Sequence, residues 1–230
     1  MPVTATPVPG GAPPADPQQQ RRLLLQLLRQ DPRGAANRHS GQILQLITAL
    51  ESAQPADLAA AAALAQLEGV WELRWSSSRQ PYLAVGPWLE NLQCLAPSQG
   101  RGMNLLRLPG PLASLAGIAV EAAIAIQDPT PGEPAGGQRV PLQRVAVRFQ
   151  RGGWLGPSLG GRRWQWLRSV QQSFPAWLDI TVLDDELRLC RGNAGTVFAL
   201  LRRTDLELNQ LLIAGDPTRS PEPAPAPRRG

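Results

Sequence analysis

Short runs in which apolar and polar residues alternate recur between residues 69 and 204, and they constrain the fold more than any other feature. In the first run, Trp71, Leu73 and Trp75 alternate with polar residues. A period of two is typical of a half-buried strand, because successive side chains point to opposite faces of a sheet. About seven or eight such runs predict a sandwich or an antiparallel barrel. Further runs lie at about 103–108, 117–127, 140–150, 164–170 and 177–183, with turn-rich breaks such as 128–134 and 152–161.

A helical region, residues 18–68, precedes these runs. A Leu-rich helix is expected over 18–30, and the following Asp31-Pro32 ends it. Ser40 is the expected cap of a second helix with one apolar face. A third, Ala-rich helix follows Asp57 and runs to about Gln66. These helices either cover one end of the sheet or dock a partner helix, and the sequence leaves both interpretations open.

The two ends of the chain have a different composition. Residues 1–17 and 216–230 are rich in Pro and small residues, so we expect a disordered leader and an extended tail. Residues 205–215 are expected to form a short helix or a last strand. The longest apolar run, Leu58–Ala65, is too short to span a bilayer. We therefore expect neither a transmembrane helix nor a secretory signal.

The titratable residues exclude several classes of enzyme. All 23 basic residues are Arg, so lysine-dependent chemistry is absent. His39 is the only histidine, and Cys94 and Cys190 form no Cys-x-x-Cys pair, which argues against a zinc site and a Ser-His-Asp triad. We predict no catalytic residue, no metal and no cofactor. The net charge of +5 is spread along the chain, which does not favour nucleic acid as a partner.

The stretch Leu183–Arg202 predicts a closing hairpin. Two apolar runs flank a turn that contains Gly192, Asn193 and Gly195, residue types that accept a positive φ. The charges of the hairpin have two interpretations. They form ion pairs that fix the last strands, with Asp184 bound to Arg188 or Arg191, or they contact a ligand at the end of the barrel.

This hairpin resembles the carboxy-terminal signature of the plastid lipid-associated proteins, or fibrillins. The matching residues are Leu183, Asp184, Leu187, Arg188, Leu189, Arg191, Gly192, Asn193, Gly195, Val197, Phe198, Leu200 and Arg202. The first strand also resembles the family's opening motif at Gly69, Trp71, Leu73, Ser77 and Ser78, although Trp75 and Ser76 replace the usual Tyr and Thr. The resemblance implies a mostly β fold, a lipocalin-like antiparallel β-barrel over 69–204 preceded by two or three short α-helices.

The resemblance also implies a function. Fibrillins are associated with hydrophobic molecules, so it predicts that this protein binds or shields an isoprenoid, quinone, carotenoid or acyl lipid at thylakoid membranes or lipid droplets. Because residues 1–17 lack the composition of a transit peptide, a cyanobacterial member is expected, in the cytoplasm or on the cytoplasmic side of the thylakoid membrane. The alternative is a scaffold that coats membranes or docks a partner protein and holds no ligand.

Two sets of residues are candidates for these contacts. Apolar and aromatic residues of the sheet are expected to line a ligand site, unless they only fill the core. These are Trp71, Leu73, Trp75, Trp88, Ile124 and Phe149. The stretch 151–168 mixes Trp with Arg, which favours a peripheral contact with an anionic membrane; alternatively, Trp164 and Trp166 point into the barrel. The membrane candidates are Trp154, Arg162, Arg163, Trp164 and Trp166.

Overall fold

The computed structural model describes residues 16–80, 83–127, 143–159, 162–173, 175–193 and 195–212. The predictions of a disordered leader, a Pro-rich tail and a turn at 128–134 fall almost wholly outside these ranges. The side chains of residues 158, 159, 162 and 163 also lie outside the description, although their backbone belongs to strands.

The sheet is a closed antiparallel barrel of eight strands, which confirms the fold that the resemblance implies and decides between the two architectures that the alternation allows. The order β4-β3-β2-β1-β9-β8-β7-β5 closes through a β4–β5 pairing, and β6 extends the sheet from the second half of β5. The strands are β1 Gly69–Ser76, β2 Glu90–Ala96, β3 Arg101–Arg107, β4 Gly117–Ile126, β5 Arg144–Leu159, β6 Arg162–Ser169, β7 Ala176–Leu183, β8 Leu187–Gly192 and β9 Val197–Arg202.

Four α-helices accompany the barrel in the described ranges: α1 Pro17–Leu28, α2 Ser40–Ala53, α3 Ala63–Leu67 and α4 Leu208–Leu211. The carboxylate of Asp16 caps α1 by accepting the backbone N–H groups of Gln18 and Gln19. The prediction that Ser40 caps α2 is wrong. Its hydroxyl donates to the carbonyl of Asn37 and accepts from Trp75 Nε1, so it ties α2 to the barrel instead.

The barrel interior is closed by one apolar cluster that joins strands from all round the sheet. It contains residues of strands that are not neighbours in the sheet, and such residues contact one another only on the concave face of the barrel. Its strand members include Trp71, Leu73, Ile124, Val145, Ile180, Cys190, Phe198 and Leu200. Helix α3 covers this cluster with Ala63 and Leu67, and Trp71 Nε1 donates to the Leu67 carbonyl at 3.0 Å. Of the helical region, α3 therefore covers the interior, whereas α1 and α2 pack on the outer face of the sheet.

Trp75 does not share the face of Trp71 and Leu73. A β-bulge in β1 inserts Arg74, so that Leu73 pairs with Leu200 while Trp75 pairs with the next residue, Ala199. The inserted residue turns Trp75 to the outer face, where it packs beneath α1 and α2. The expectation of one continuous aromatic face in this strand is therefore wrong.

The outer face of β1 to β5 carries a second apolar layer beside α4. Its members are Val70, Leu92, Cys94, Met103, Leu105, Ala119 and Leu155, covered by Leu206, Leu208, Leu211 and Leu212. Residues 205–215 thus contain a helix, one of the two predicted alternatives. Burial on both faces explains why β2, with Glu90, Gln93 and Cys94 all buried, has no simple alternation and was not predicted.

Strand β5 continues through the glycine-rich stretch that the sequence predicts as a flexible loop. Gly152 and Gly153 pair with Val120 and Ala119 on one side and with β6 on the other. A Cβ at Gly153 would lie 2.1 Å from the carbonyl oxygen of Trp166, so the close approach of β6 requires glycine there. These glycines fit the close pairing of two strands.

Candidate ligand-binding and membrane-contact site

An exposed apolar row crosses the four strands β3 to β6. Leu106 pairs with Ile118, Ile118 with Trp154, and Trp154 with Trp166. Directly paired residues point to the same face, so the four side chains form one line across the sheet. The exposed fractions are 57% for Ile118, 42% for Trp154 and 67% for Trp166. We call this set the apolar row.

The apolar row continues the interior face of the barrel. Trp71 pairs with Gln93, and Gln93 pairs with Asn104. Leu106 lies two residues beyond Asn104, so the alternation places it on the same side of the sheet as Trp71. The interior face is thus packed and closed around Trp71 and becomes exposed at Asn104, Ile118 and Trp154.

Local glycines and arginines hold the tryptophans of the row in position. The Trp154 ring lies over Gly156, where a Cβ would approach the ring to 2.3 Å. The Arg168 guanidinium stacks on the Trp166 ring at 5.1 Å from its centre. Trp164 is also exposed, so neither Trp164 nor Trp166 fills the barrel core.

The predicted membrane residues therefore come together only in part. Trp154 and Trp166 face each other across the β5–β6 pair, and the backbones of Arg162 and Arg163 pair with Leu159 and Ser158 at the end of the same hairpin. Arg168 lies within the predicted Arg- and Trp-rich stretch, whereas Leu106 and Ile118 were not among the predicted membrane residues. Ile118 shares an alternating run with Ile124, and only the register of the strands separates the exposed residue from the buried one.

The exposed surface near the row contains further apolar residues. Leu112 lies in a 3-10 helix, Gly110–Ser114, that precedes β4 and contacts β5, and Leu115 follows this helix directly. Both side chains are about half exposed. A cluster of exposed apolar side chains at one end of a barrel marks a binding surface more often than scattered single residues do.

A single buried arginine stands out inside the barrel. Arg188, in β8, is completely buried. Its Nη2 donates to Gln93 Oε1, a contact that passes over β9 and β1 and so lies on the concave side. The guanidinium carbon lies 5.2 Å from the centre of the Trp71 ring. Burial, opposed by the neighbouring Cys190, lowers the pKa of Arg188 to about 10.

The guanidinium of Arg188 is only partly satisfied. Its Nε and Nη1 have no hydrogen-bond acceptor among the described residues. No carboxylate of the described chain lies within ion-pair distance of it, although most other described arginines of the barrel have one. A buried charge without a counter-ion is costly, so this position is unusual for a side chain with a purely structural role.

The other charges of the closing hairpin bind the helical region. Arg21 of α1 makes a bidentate pair with Asp184 at 2.6 and 2.9 Å. Arg191 makes a bidentate pair with Glu51 of α2 at 2.9 and 2.6 Å. The predicted pairing of Asp184 with Arg188 or Arg191 is therefore wrong. The ion pairs fix the helices to the barrel.

The remaining signature residues shape the hairpin turn. Gly195 has a φ of 73°, the left-handed conformation that glycine favours. The Gly195 N–H donates to the Gly192 carbonyl, and the Asn193 side chain donates to the Pro175 carbonyl. Phe198 packs in the interior cluster. The turn is a structural feature, since these four residues contact backbone and core.

The predicted ligand-lining residues divide into two groups. Trp71, Leu73 and Ile124 lie in the interior cluster, and Phe149 is half-buried opposite Ala122. Trp75 lies beneath the helices, as described above. Trp88 is 79% exposed in the loop before β2 and lines no part of the interior.

A network of buried ion pairs lies on the outer face of β1 to β3. Glu72 accepts from Arg33 at 2.6 Å, and Glu90 accepts from the same Arg33 at 2.8 Å. Arg203 reaches both carboxylates at 3.0 Å. Two more guanidiniums complete the network, those of Arg74 and Arg107. The network joins the α1–α2 connection, the barrel and the segment after β9.

The described residues contain no cluster of His, Cys, Asp and Glu that would hold a metal ion. Burial raises the pKa of the Cys94 thiol to about 12 and that of Cys190 to about 11. Thiols with such pKa values are poor nucleophiles at neutral pH.

Over the described ranges, no helix is both long and apolar enough to cross a membrane.

A scan against protein-family models and searches of curated proteins and of solved structures returned no match.

Proposed function

We propose that this protein is a fibrillin-type barrel that binds or shields hydrophobic small molecules while it lies against an anionic membrane surface. The eight-stranded barrel is compatible with such binding, since barrels of this size hold one small ligand or are filled by their own side chains. The resemblance of the closing hairpin to the fibrillin signature supports the same proposal and suggests an isoprenoid, quinone, carotenoid or acyl lipid as ligand.

The apolar row is the observation that carries the proposal. Its exposed tryptophans and Ile118 lie on the face that continues into the barrel interior, so a lipid held there would touch both the surface and the interior. Tryptophan favours the boundary between water and lipid, and the nearby Arg168 adds a positive charge. Each basic residue near an anionic membrane contributes about 1 kcal/mol. The cytoplasm, or the cytoplasmic side of a thylakoid membrane, is the proposed location.

Sedimentation with liposomes that contain anionic lipids tests the membrane contact. We expect the wild-type protein to pellet with the liposomes and the double variant Trp154→Ala/Trp166→Ala to remain largely in the supernatant. Trp88→Ala is the matched control, because Trp88 is more exposed than either but lies off the row. Equal sedimentation of the double variant and this control would contradict the proposed contact.

The positive charges at the end of the β5–β6 hairpin, those of Arg162 and Arg163, can be tested in the same assay. The double variant Arg162→Ala/Arg163→Ala is expected to pellet less, and the loss should disappear when the liposomes contain only neutral lipids. A loss that is equal on neutral and anionic liposomes would speak against an electrostatic role.

A second candidate function is that of a scaffold without a ligand. The tight interior favours it, since Trp71, Leu73 and Leu200 are almost completely buried around the barrel axis. Mass spectrometry of lipids that co-purify with the native protein distinguishes the two functions. A stoichiometric hydrophobic compound supports the carrier, whereas its absence from a protein that still pellets with liposomes supports the scaffold.

A further inference from the structure

We infer that Arg188 anchors the carboxylate of an amphiphilic ligand, such as a long-chain fatty acid, whose apolar tail extends along the interior face towards the apolar row. The inference rests on the proposed binding of hydrophobic molecules and narrows it to an acid with one negative charge.

The surroundings of Arg188 are those of an anion site. The guanidinium is completely buried, and its Nε and Nη1 lack acceptors within the described part of the chain. Its described partners are the Gln93 amide oxygen and the Cys190 thiol, and both groups are neutral. Because the buried cation has no protein counter-ion there, a bound anion would both neutralise it and supply the missing acceptors.

The unpaired charge favours a carboxylate. One guanidinium carries one positive charge, which one carboxylate balances, and its planar donors match the two oxygens of a carboxylate. The nearest other cation that contacts Trp71 is Arg202, at 4.3 Å from the ring centre. Arg202 already donates to the carbonyl groups of Gln66, Glu68 and Asp185, so it is held in place by backbone.

Gln93 separates Arg188 from the exposed part of the interior face. Asn104, its partner on β3, is exposed, and Val120 on β4 pairs with Asn104 in turn. Leu106 and Ile118 follow two residues further on. Rotation of the Gln93 side chain would therefore let a carboxylate take the place of the amide oxygen, with the ligand tail lying over Val120 and the apolar row.

The test compares oleic acid with methyl oleate, which has the same tail but no charge. Binding to the delipidated full-length chain is measured by quenching of tryptophan fluorescence at concentrations that avoid micelles. Because a hydrogen bond to a charged group is stronger than one to a neutral group, we expect oleate to bind the wild type about 10- to 100-fold more tightly than methyl oleate. Arg188→Met should abolish this preference. Arg148→Gln, at an exposed position in β5, is the matched control and should keep it.

Two further readouts separate anchoring from a structural role. The ligand-free Arg188→Met variant should unfold at a temperature no lower than the wild type, because replacing an uncompensated buried charge by an apolar chain is neutral or stabilising. Gln93→Ala removes the competing acceptor and should bind oleate at least as tightly as the wild type. A loss of oleate binding in Gln93→Ala equal to that in Arg188→Met would overturn the displacement of Gln93.

The wild-type comparison decides the inference even if Arg188→Met fails to fold. Equal affinity for oleate and methyl oleate would overturn the role of Arg188 and leave the proposed binding of hydrophobic molecules standing. Failure of the wild type to bind either compound would count against both.

Discussion

The buried ion network provides a test of what holds the helical region, the barrel and the carboxy-terminal segment together. The variant is Glu72→Gln, which keeps the shape of the side chain and removes its charge. Glu72 accepts from Arg33 at 2.6 Å, from Arg203 at 3.0 Å and from Arg74 at 3.3 Å. The substitution would leave three guanidiniums with one fewer carboxylate in a site that is almost closed to water.

The size of the effect follows from the charge balance. Among the described residues, four arginines surround Glu72 and Glu90, and the exposed Asp31 and Asp205 at the rim complete the neutralisation. Removal of one partner from a buried ion pair destabilises a protein by about 3–5 kcal/mol. At about 2–4 °C per kcal/mol for a chain of this size, the melting temperature should fall by roughly 6–20 °C.

Urea unfolding followed by tryptophan fluorescence measures the loss directly. Asp31→Asn is the control, because Asp31 is 87% exposed and 3.6 Å from Arg74, and exposed pairs contribute about 0–1 kcal/mol. The double variant Glu72→Gln/Arg33→Gln should lose less free energy of unfolding than the two single variants lose together, because neither substitution then leaves its partner as an unpaired charge. A Glu72→Gln variant within about 1 kcal/mol of the wild type would refute the proposed role of the network.

Three further predictions concern titration, thiol reactivity and the hairpin. Burial alone would raise the pKa of Glu72, but the hydrogen bond from Arg33 and the nearby arginine charges lower it overall. The contribution of ionised Glu72 to the free energy of unfolding is therefore complete above the unfolded pKa of about 4.3, and it is lost as the pH falls through the lower folded pKa. We expect the free energy of unfolding to decrease less steeply with falling pH in Glu72→Gln than in the wild type. At pH 8, Cys94 and Cys190 should react with Ellman's reagent at least about 100-fold more slowly in the folded than in the urea-unfolded protein, because burial raises both thiol pKa values; comparable rates would contradict this burial. Asp184→Ala should destabilise more than Arg21→Ala in urea, because Asp184 also accepts the backbone N–H groups of Glu186 and Leu187 at 2.8 Å; the reverse order would show that the hairpin contacts matter less than the ion pair.

The alternation of apolar and polar residues predicts an antiparallel β domain, and it is recognisable even in β1, whose two faces are both buried. It left a sandwich and a barrel open, and only the resemblance to the fibrillins implied a barrel. Strands β3, β4 and β7 follow the alternation to within a few residues of the observed bounds. The alternation fails in β2, which lies between the interior and the layer under α4, because its buried Glu90 and Gln93 interrupt the apolar pattern. The glycine-rich half of β5 was predicted as a loop, because the sequence alone does not reveal the close approach of β6.

The candidate site was less predictable than the fold. Trp154 and Trp166 were recognised from their residue types, but Leu106 and Ile118 join them only through the register of four strands. The pairing of Asp184 was wrong because its partner, Arg21, lies 163 residues away in a helix whose docking the local sequence does not encode. Arg188 was recognised only as part of a charged hairpin, because its burial depends on closure of the barrel.

The extra residue in β1 also determines how the protein should lose its structure. Because Arg74 shifts the strand by one position, Trp71 belongs to the barrel interior and Trp75 to the layer under α1 and α2. The Arg74 side chain then donates to the carbonyl groups of Leu28 and Gln30, which end α1. Detachment of α1 would therefore leave the buried Arg74 guanidinium without these acceptors and would uncover Trp75. Helices and barrel should melt as one cooperative unit, with a single calorimetric transition in place of two.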